Sequence, residues 1–350
     1  MSVVIALANQ KGGVGKTTTT VSLAAALAMR SLRVLIVDAD PQANATSAVG
    51  ATKDDEGGLY EALVDERPLA DAVRATEIPG LSVLPTTPAL AGAEVELVSV
   101  MAREFRMKRA LDALRPMFDV ILVDCPPSLG LLTVNALAAC DEVIIPVQCE
   151  YFALEGLSHL SHTIELVQRN LNPRLVIRGV VLTMFDGRTN LSREVEAEVR
   201  SHFPNTFAAV IPRSIRLAEA PSHGEPINVF DPTSSGARAY NDLADELIAA
   251  LRARDLLPQP PVVVPSTPTA VAPIVSTPHE VATIPATPHD VATIPVTPHD
   301  VATIPVTPHD LATIPATSHE VAAYETTPRD LAPLDLTPER IGHTEQTHGA

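Results

Sequence analysis

The chain has 350 residues, of which 46% are apolar and 3% aromatic, and its formal net charge is −17. That length is ample for one large core, and a core so poor in aromatics points to an aliphatic α/β interior. The acidic balance excludes a global basic field that would draw in nucleic acid, so any DNA contact has to use a local patch. The three cysteines, Cys125, Cys140 and Cys149, have no C-x-x-C spacing and their number is odd. With no secretory signal and no apolar run long enough to span a bilayer, this usage reads as a soluble protein of a reducing cytoplasm, its thiols buried and inert.

The first predicted element is a strand over Val3–Leu7, and an alanine- and leucine-rich helix is predicted over 21–29. Between them, residues 8–20 read A-N-Q-K-G-G-V-G-K-T-T-T-T. Strand, glycine loop and helix is the setting a phosphate-binding loop requires. Backbone N–H groups close around phosphate oxygens where no Cβ intervenes, and the helix points its positive end at the same anion. The ligand is therefore a nucleoside triphosphate or diphosphate, with Lys16 expected on the β/γ-phosphates and the Thr17 hydroxyl on Mg²⁺. The loop departs from the standard pattern, because the first glycine of G-x-x-x-x-G-K-[ST] falls on Gln10 and a second lysine, Lys11, precedes Gly12 and Gly13. Lys11 is surplus to one site. It makes physical sense if it reaches a phosphate bound by another copy of the chain; the plainer reading is a solvated loop lysine.

Residues 33–42, R-V-L-I-V-D-A-D-P-Q, form an apolar run ending in acids. That pattern predicts a parallel strand buried on both faces, which delivers carboxylates to the carboxyl edge of the sheet where ligands bind. Asp38 and Asp40 would share one face of an ideal strand, and Pro41 ends the ladder. Asp40 is thereby placed in a loop facing the phosphates, where it would orient the attacking water or hold Mg²⁺ through water. Residues 50–92 are loop-rich, with one strand predicted over Leu81–Leu84. Periodicity predicts one long helix over 94–114, with Val95, Val98, Met101, Phe105 and Leu111 on its apolar stripe and Arg103, Arg106, Lys108 and Arg109 on a solvated face.

Residues 119–127, D-V-I-L-V-D-C-P-P, carry a Walker B signature in which Asp124 at the strand end helps hold Mg²⁺. A strand over 142–147, a helix over 154–170 and a strand over 177–184 continue the βα alternation of a doubly wound sheet. From 186 to 216, Arg188, Arg193, Arg200, Arg213 and Arg216 surround turns and a short helix whose Val195, Val199 and Phe203 face inward. Arginines at loops and helix ends suffice for sequence-independent phosphate binding, although solvated surface is the commoner origin of such a cluster. The last predicted helix, 237–254, packs through Tyr240, Leu243, Leu247 and Leu251.

At Pro258 the composition changes. Residues 258–350 hold 17 of the 32 prolines, 7 of the 11 histidines, and 10 acids against 2 arginines. A ten-residue unit repeats over 271–340, its best copies being V-A-T-I-P-A-T-P-H-D and V-A-T-I-P-V-T-P-H-D. Thr as cap, Pro at the first helical position and an acid three residues on start a helix that the next proline stops too early to be stable. The expectation is an ATPase domain over 1–257 and a disordered, low-complexity tail over 258–350.

The core resembles the ParA/Soj chromosome- and plasmid-partitioning ATPases, within the deviant-Walker class that also holds MinD and the nitrogenase iron protein. The match runs through residues 9–18, 38–42, 124–130 (D-C-P-P-S-L-G), 146–150 (P-V-Q-C-E), 182–184 and 219–224 (E-A-P-S-H-G), and covers about residues 1–255. The resemblance implies a doubly wound, mostly parallel α/β sheet of P-loop NTPase topology. It also implies a slow ATPase with ATP and Mg²⁺ as cofactors. Nucleotide would be held by Lys11, Gly12, Gly13, Val14, Gly15, Lys16, Thr17 and Thr18, with the adenine near Thr183, Met184 and Pro212. Thr17 would ligate Mg²⁺, Asp40 and Asp124 would act on it through water, and Asp40 would position the attacking water.

Its implied partners are a second copy in an ATP-bound sandwich homodimer, with Lys11 crossing to the partner's nucleotide, nonspecific double-stranded DNA at Arg188, Arg193, Arg213 and Arg216, and a ParB-type centromere-binding protein that stimulates hydrolysis. The location implied is cytoplasmic and nucleoid-associated, with no stable membrane anchor and no autorepressor domain. The alternative is a MinD-like membrane cycle or another cellular-positioning ATPase, which predicts a terminal basic amphipathic helix, whereas the sequence ends G-H-T-E-Q-T-H-G-A. A metal-cluster carrier would need cysteines that bridge a dimer, which these three do not resemble. A further reading is a scaffold whose working part is the tail.

Overall fold

The computed structural model describes residues 2–52, 58–151 and 153–257. The repeats and the disordered tail expected from 258 onward lie outside the described residues. The chain order is β1 (Val3–Leu7), α1 (Lys16–Ala28), β2 (Val34–Asp38), α2 (Asn44–Ala48), α3 (Leu59–Val64), β3 (Arg74–Ala75), β4 (Leu81–Leu84), α4 (Leu90–Glu96), α5 (Arg106–Asp112), β5 (Val120–Asp124) and α6 (Leu131–Ala139). It continues with β6 (Glu142–Gln148), α7 (Ala153–Asn170), β7 (Val176–Phe185), α8 (Asn190–His202), β8 (Thr206–Pro212), α9 (Ile215–Glu219), α10 (Ile227–Phe230) and α11 (Ser235–Arg252).

The strands form one eight-stranded sheet in the order β3-β4-β2-β5-β1-β6-β7-β8. Only β3 runs antiparallel to its neighbour. β1, β2 and β5 are buried at every position, as a parallel strand covered on both faces must be. Alternate side chains feed two cores. Val4 and Ala6 join Leu35, Val123, Met107 and Leu157 on one face, whereas Val3, Ile5 and Leu7 join Leu23, Leu27, Tyr240 and Leu247 on the other. Each fully buried Leu, Ile or Val contributes about 1.5–3 kcal/mol relative to exposure. The doubly wound sheet expected from the βα alternation is therefore the observed fold.

β1 sits between β5 and β6, so the loop leaving its carboxyl end opens at the carboxyl edge among the loops of both neighbours, where open α/β sheets bind ligands.

Three expectations are corrected. The single helix over 94–114 is broken into α4, 3-10 turns at Leu97–Ser99 and Arg103–Phe105, and α5. The cause is local: Val100 is extended and Ala102 adopts the left-handed conformation at φ 53°, which no helix tolerates. Arg106 does not lie on a solvated face, because its side chain is only 13% exposed and pairs with Glu66 at 2.5 Å. The helix after the glycine loop starts at Lys16 rather than at 21, which brings its first turn onto the loop itself.

Candidate active site

The glycine loop turns because two of its residues have positive φ, Gly13 at 75° and Gly15 at 83°, where a Cβ would be strained. Gly15 caps α1, whose free backbone N–H groups then face the loop's interior. Two side chains anchor the loop to neighbouring strands. Asn9 donates from Nδ2 to the Pro146 carbonyl at 2.7 Å and accepts the Lys11 N–H at 2.9 Å. The Thr183 hydroxyl of β7 donates to the Val14 carbonyl at 2.9 Å.

The two lysines are disposed differently. Lys16 is buried, and its Nζ donates to the Lys11 carbonyl at 3.2 Å. Burial lowers its pKa, while Asp124, Cys125 and Asp40 act in the opposite sense. Lys11 turns outward: its side chain is 37% exposed and its Nζ meets Glu150 Oε2 at 3.3 Å.

Three carboxylates stand at the carboxyl edge. Asp38 and Asp124 end β2 and β5 and are both fully buried. Asp38 Oδ2 accepts from the Thr46 N–H and hydroxyl, each at 2.7 Å, and its Oδ1 accepts the Asp40 N–H at 3.3 Å. Asp124 Oδ1 accepts from the Thr20 hydroxyl at 2.9 Å, and the Thr17 hydroxyl bears on the same carboxylate. Burial raises the pKa of both; the Asp40 charge raises Asp38 further, and the Asp38 and Asp40 charges raise Asp124. Asp40 lies just past the end of β2, nearly buried, with Oδ1 accepting the Gln42 N–H at 3.0 Å. Asp38 and Asp40 do not share a strand face, because β2 ends at Asp38.

Asp124 Oδ2 is buried with no hydrogen-bond partner among the described residues. An orphaned carboxylate oxygen beside a threonine hydroxyl is an oxygen-only donor set of the kind a hard dication takes, so these residues fit Mg²⁺. Cys125 beside it is buried and its pKa is raised mainly by burial, which makes it an inert thiol.

Gly15, Thr18, Thr183, Met184, Pro212 and Tyr240 line a cavity of about 300 Å³ next to the loop. It joins the residues that the sequence suggested for adenine to the first turn of α1. Met184 itself has φ 52°.

The four arginines expected at DNA are exposed but are not one bare patch. Arg188 pairs with Asp186 at 2.7 Å and 2.9 Å, and Arg213 acts on the same carboxylate. Arg193 donates to the Thr189 carbonyl at 3.4 Å. Arg216 is held by Asp231 and Glu219, each at 3.1 Å, and lies 5.0 Å above the Phe230 ring.

Sequence reading missed Thr20, Thr46 and Glu150 as parts of this arrangement, and it placed Thr183 near the adenine rather than as an anchor of the glycine loop. Thr20 was accessible to it, being four residues after Lys16 and so on the same side of α1. Thr46 reaches Asp38 from only eight residues along the chain, whereas Glu150 and Thr183 meet the site through the order of strands.

A family described as AAA domain matches residues 2–177. The sporulation initiation inhibitor protein Soj of Bacillus subtilis is 56% identical over 251 residues, which are 71% of this chain and 99% of that protein. The chromosome partitioning protein ParA of Myxococcus xanthus is 53% identical over 247 residues, 70% of this chain and 87% of that one. Among solved structures, a cobyrinic acid a,c-diamide synthase from Mycobacterium smegmatis with bound ADP and magnesium has a TM-score of 0.65 at 39% identity, covering 74% of this chain and 99% of that chain. The septum site-determining protein MinD of Pyrococcus horikoshii, complexed with Mg-ADP, has a TM-score of 0.62 at 27% identity, covering 72% and 99%.

Proposed function

The chain belongs to the ParA/Soj family of chromosome-partitioning ATPases and is a P-loop ATPase that uses ATP and Mg²⁺, and we propose that it acts as an ATP-gated switch in DNA partitioning. The ATPase work is assigned to residues 1–257, with the repeat-bearing tail over 258–350 outside it. In this reading ATP binds in cis to Gly12, Gly13, Val14, Gly15, Lys16, Thr17 and Thr18, with its base in the cavity beside Met184 and Pro212. Thr17 would hold Mg²⁺, and Asp124 and Asp40 would act on it through water. The ion supplies charge neutralisation at the phosphates. Asp40 orients the attacking water.

The observation that carries the proposal is the contrast between the lysines. Lys16 is enclosed within its own loop, whereas Lys11 reaches the surface and meets Glu150 in an exposed ion pair. Such a pair is worth only about 0–1 kcal/mol, so Lys11 is free to exchange it for a phosphate presented by a second copy. ATP then closes a sandwich homodimer, because each Lys11 neutralises the triphosphate held by the other protomer. Closure sets Arg188, Arg193, Arg213 and Arg216 of both copies against nonspecific double-stranded DNA, where charge rather than base readout supplies affinity. A ParB-type centromere-binding protein stimulates hydrolysis, and the ADP-bound monomer releases the nucleoid.

Lys11→Ala tests this. The variant is expected to bind ATP like the wild type, to stay monomeric with a non-hydrolysable analogue, to lose DNA binding, and to turn over about 10³–10⁵-fold more slowly, the range for a charge delivered in trans. Dimerisation and turnover equal to wild type would sink the proposal. Measuring hydrolysis with and without DNA and a ParB amino-terminal peptide tests the partner.

A further inference from the structure

The break between α4 and α5 leaves an apolar surface that the sequence was patterned to cover. Val95, Val98 and Met101 recur at helical spacing, yet they are 74%, 63% and 92% exposed. The opposite side of the same segment is spent on the core, where Leu90, Ala93 and Leu97 are fully buried. Three large apolar side chains so exposed within seven residues are more than the scattered single exposures of an ordinary surface and mark a candidate contact segment.

Its position says what covers it. The Glu94 carboxylate lies against Gly130, where a Cβ would run into it, and accepts the Leu132 N–H at 3.4 Å. Gly130 closes the loop that follows Asp124, and Pro127 in that loop comes within 4.0 Å of a Cβ placed at Gly12. The segment that carries these side chains is thus tied, through Glu94 and the loop that holds Gly130 and Pro127, to the glycine loop from which Lys11 emerges. A copy brought close enough to receive Lys11 also approaches this segment.

We propose that Val95, Val98 and Met101 form an apolar flank of the ATP-dependent homodimer, covered by the second copy of this chain. This rests on the sandwich-dimer reading above. Lys11 supplies the nucleotide-gated charge contact, and the flank adds apolar burial once that contact has brought the copies together. The pairing is isologous, so each substitution acts twice per dimer.

Val98→Glu and Met101→Glu test the flank, since both side chains are exposed and neither touches the nucleotide site. Melting temperature and affinity for a fluorescent ATP analogue should match wild type. The dimer dissociation constant with a non-hydrolysable ATP analogue, measured by analytical ultracentrifugation, should rise about a hundredfold or more, as expected for uncovering one large apolar side chain on each protomer. Val98→Leu should restore it. If Lys11→Ala is monomeric in the same assay while Val98→Glu and Met101→Glu dimerise like wild type, the flank is wrong and the sandwich stands. If wild type binds the analogue and stays monomeric, the sandwich itself fails. Unchanged dimerisation with lost stimulation by a ParB peptide would assign the face to that partner and overturn the proposal.

Discussion

Asp38 and Asp124 are register partners at the ends of β2 and β5, and both side chains are completely buried. Burial, and the charge of the neighbouring aspartates, raise them to about 6 and about 7. Both lie above the ordinary carboxylate value near 4, so the folded state binds more protons than the unfolded one between about pH 4 and neutrality. Stability of the nucleotide-free protein therefore falls as pH rises through that window. Between pH 5.5 and 7.5 the loss should be on the order of 2 kcal/mol in urea unfolding, and saturating Mg-ADP should reduce it. Asp124→Asn should flatten the profile and raise the apo melting temperature at pH 7.5 while abolishing Mg²⁺-dependent hydrolysis. Equal slopes for wild type and Asp124→Asn would remove this account.

Thr183→Val should loosen the glycine loop without disturbing the sheet. Valine keeps the shape but loses the donor to the Val14 carbonyl, and both residues are buried. An unsatisfied buried carbonyl costs about 1–3 kcal/mol. The expected readout is a KM for ATP raised severalfold with kcat nearly unchanged, because Thr183 holds the loop that binds the phosphates. A variant with wild-type KM and wild-type stability would show that the bond anchors nothing.

The parts of this fold legible in the sequence are those fixed by local pattern. Val34–Asp38 and Val120–Asp124 announce themselves as apolar runs ending in acid, and the loop around Gly13 and Gly15 needs only its own residues to turn. What stayed hidden depends on which strands become neighbours. Asp38 faces Asp124 because β2 pairs with β5, and Thr183 reaches Val14 across 169 residues of chain. Neither follows from periodicity. β8, missed in the sequence, alternates buried and more exposed residues in a short segment between arginine-bearing helices. The 94–114 helix misled because its stripe is real in spacing, yet of Val95, Val98, Met101, Phe105 and Leu111 only Leu111 is buried.

Arg188 and Asp186 make a prediction of opposite signs. The Arg188 guanidinium holds Asp186 down at about 2, so the carboxylate is ionised at every working pH. Its contribution to the pair is present above the ordinary value and lost only as pH falls toward that lowered one. In the proposed DNA-bound state Asp186 would therefore compete with phosphate for Arg188. Arg188→Ala should weaken binding uniformly across DNA sequences and reduce the salt slope by about 1. Asp186→Asn should tighten binding instead, and neither effect should change between pH 6 and 9. Fluorescence anisotropy at several KCl concentrations reads both, and weaker binding by Asp186→Asn would mean that Arg188 needs its partner for orientation.

Ala102→Gly distinguishes a broken helix from a continuous one by the sign of a single number. Ala102 has φ 53° and ψ 35°, a left-handed conformation that costs an L-residue with a Cβ roughly 1–2 kcal/mol and costs glycine almost nothing. Glycine gives back part of that gain through the larger entropy of its unfolded chain, which leaves a net stabilisation on the order of 1 kcal/mol. Inside an unbroken helix over 94–114 the same substitution would cost about 1 kcal/mol. A domain of this size shifts by about 2–4 °C per kcal/mol, so thermal melting of the nucleotide-free protein resolves the two cases. A rise places the break at Ala102, which keeps Val95, Val98 and Met101 on the outside. A fall would restore the long helix, return those three side chains to a buried stripe, and withdraw the apolar surface assigned to the second copy.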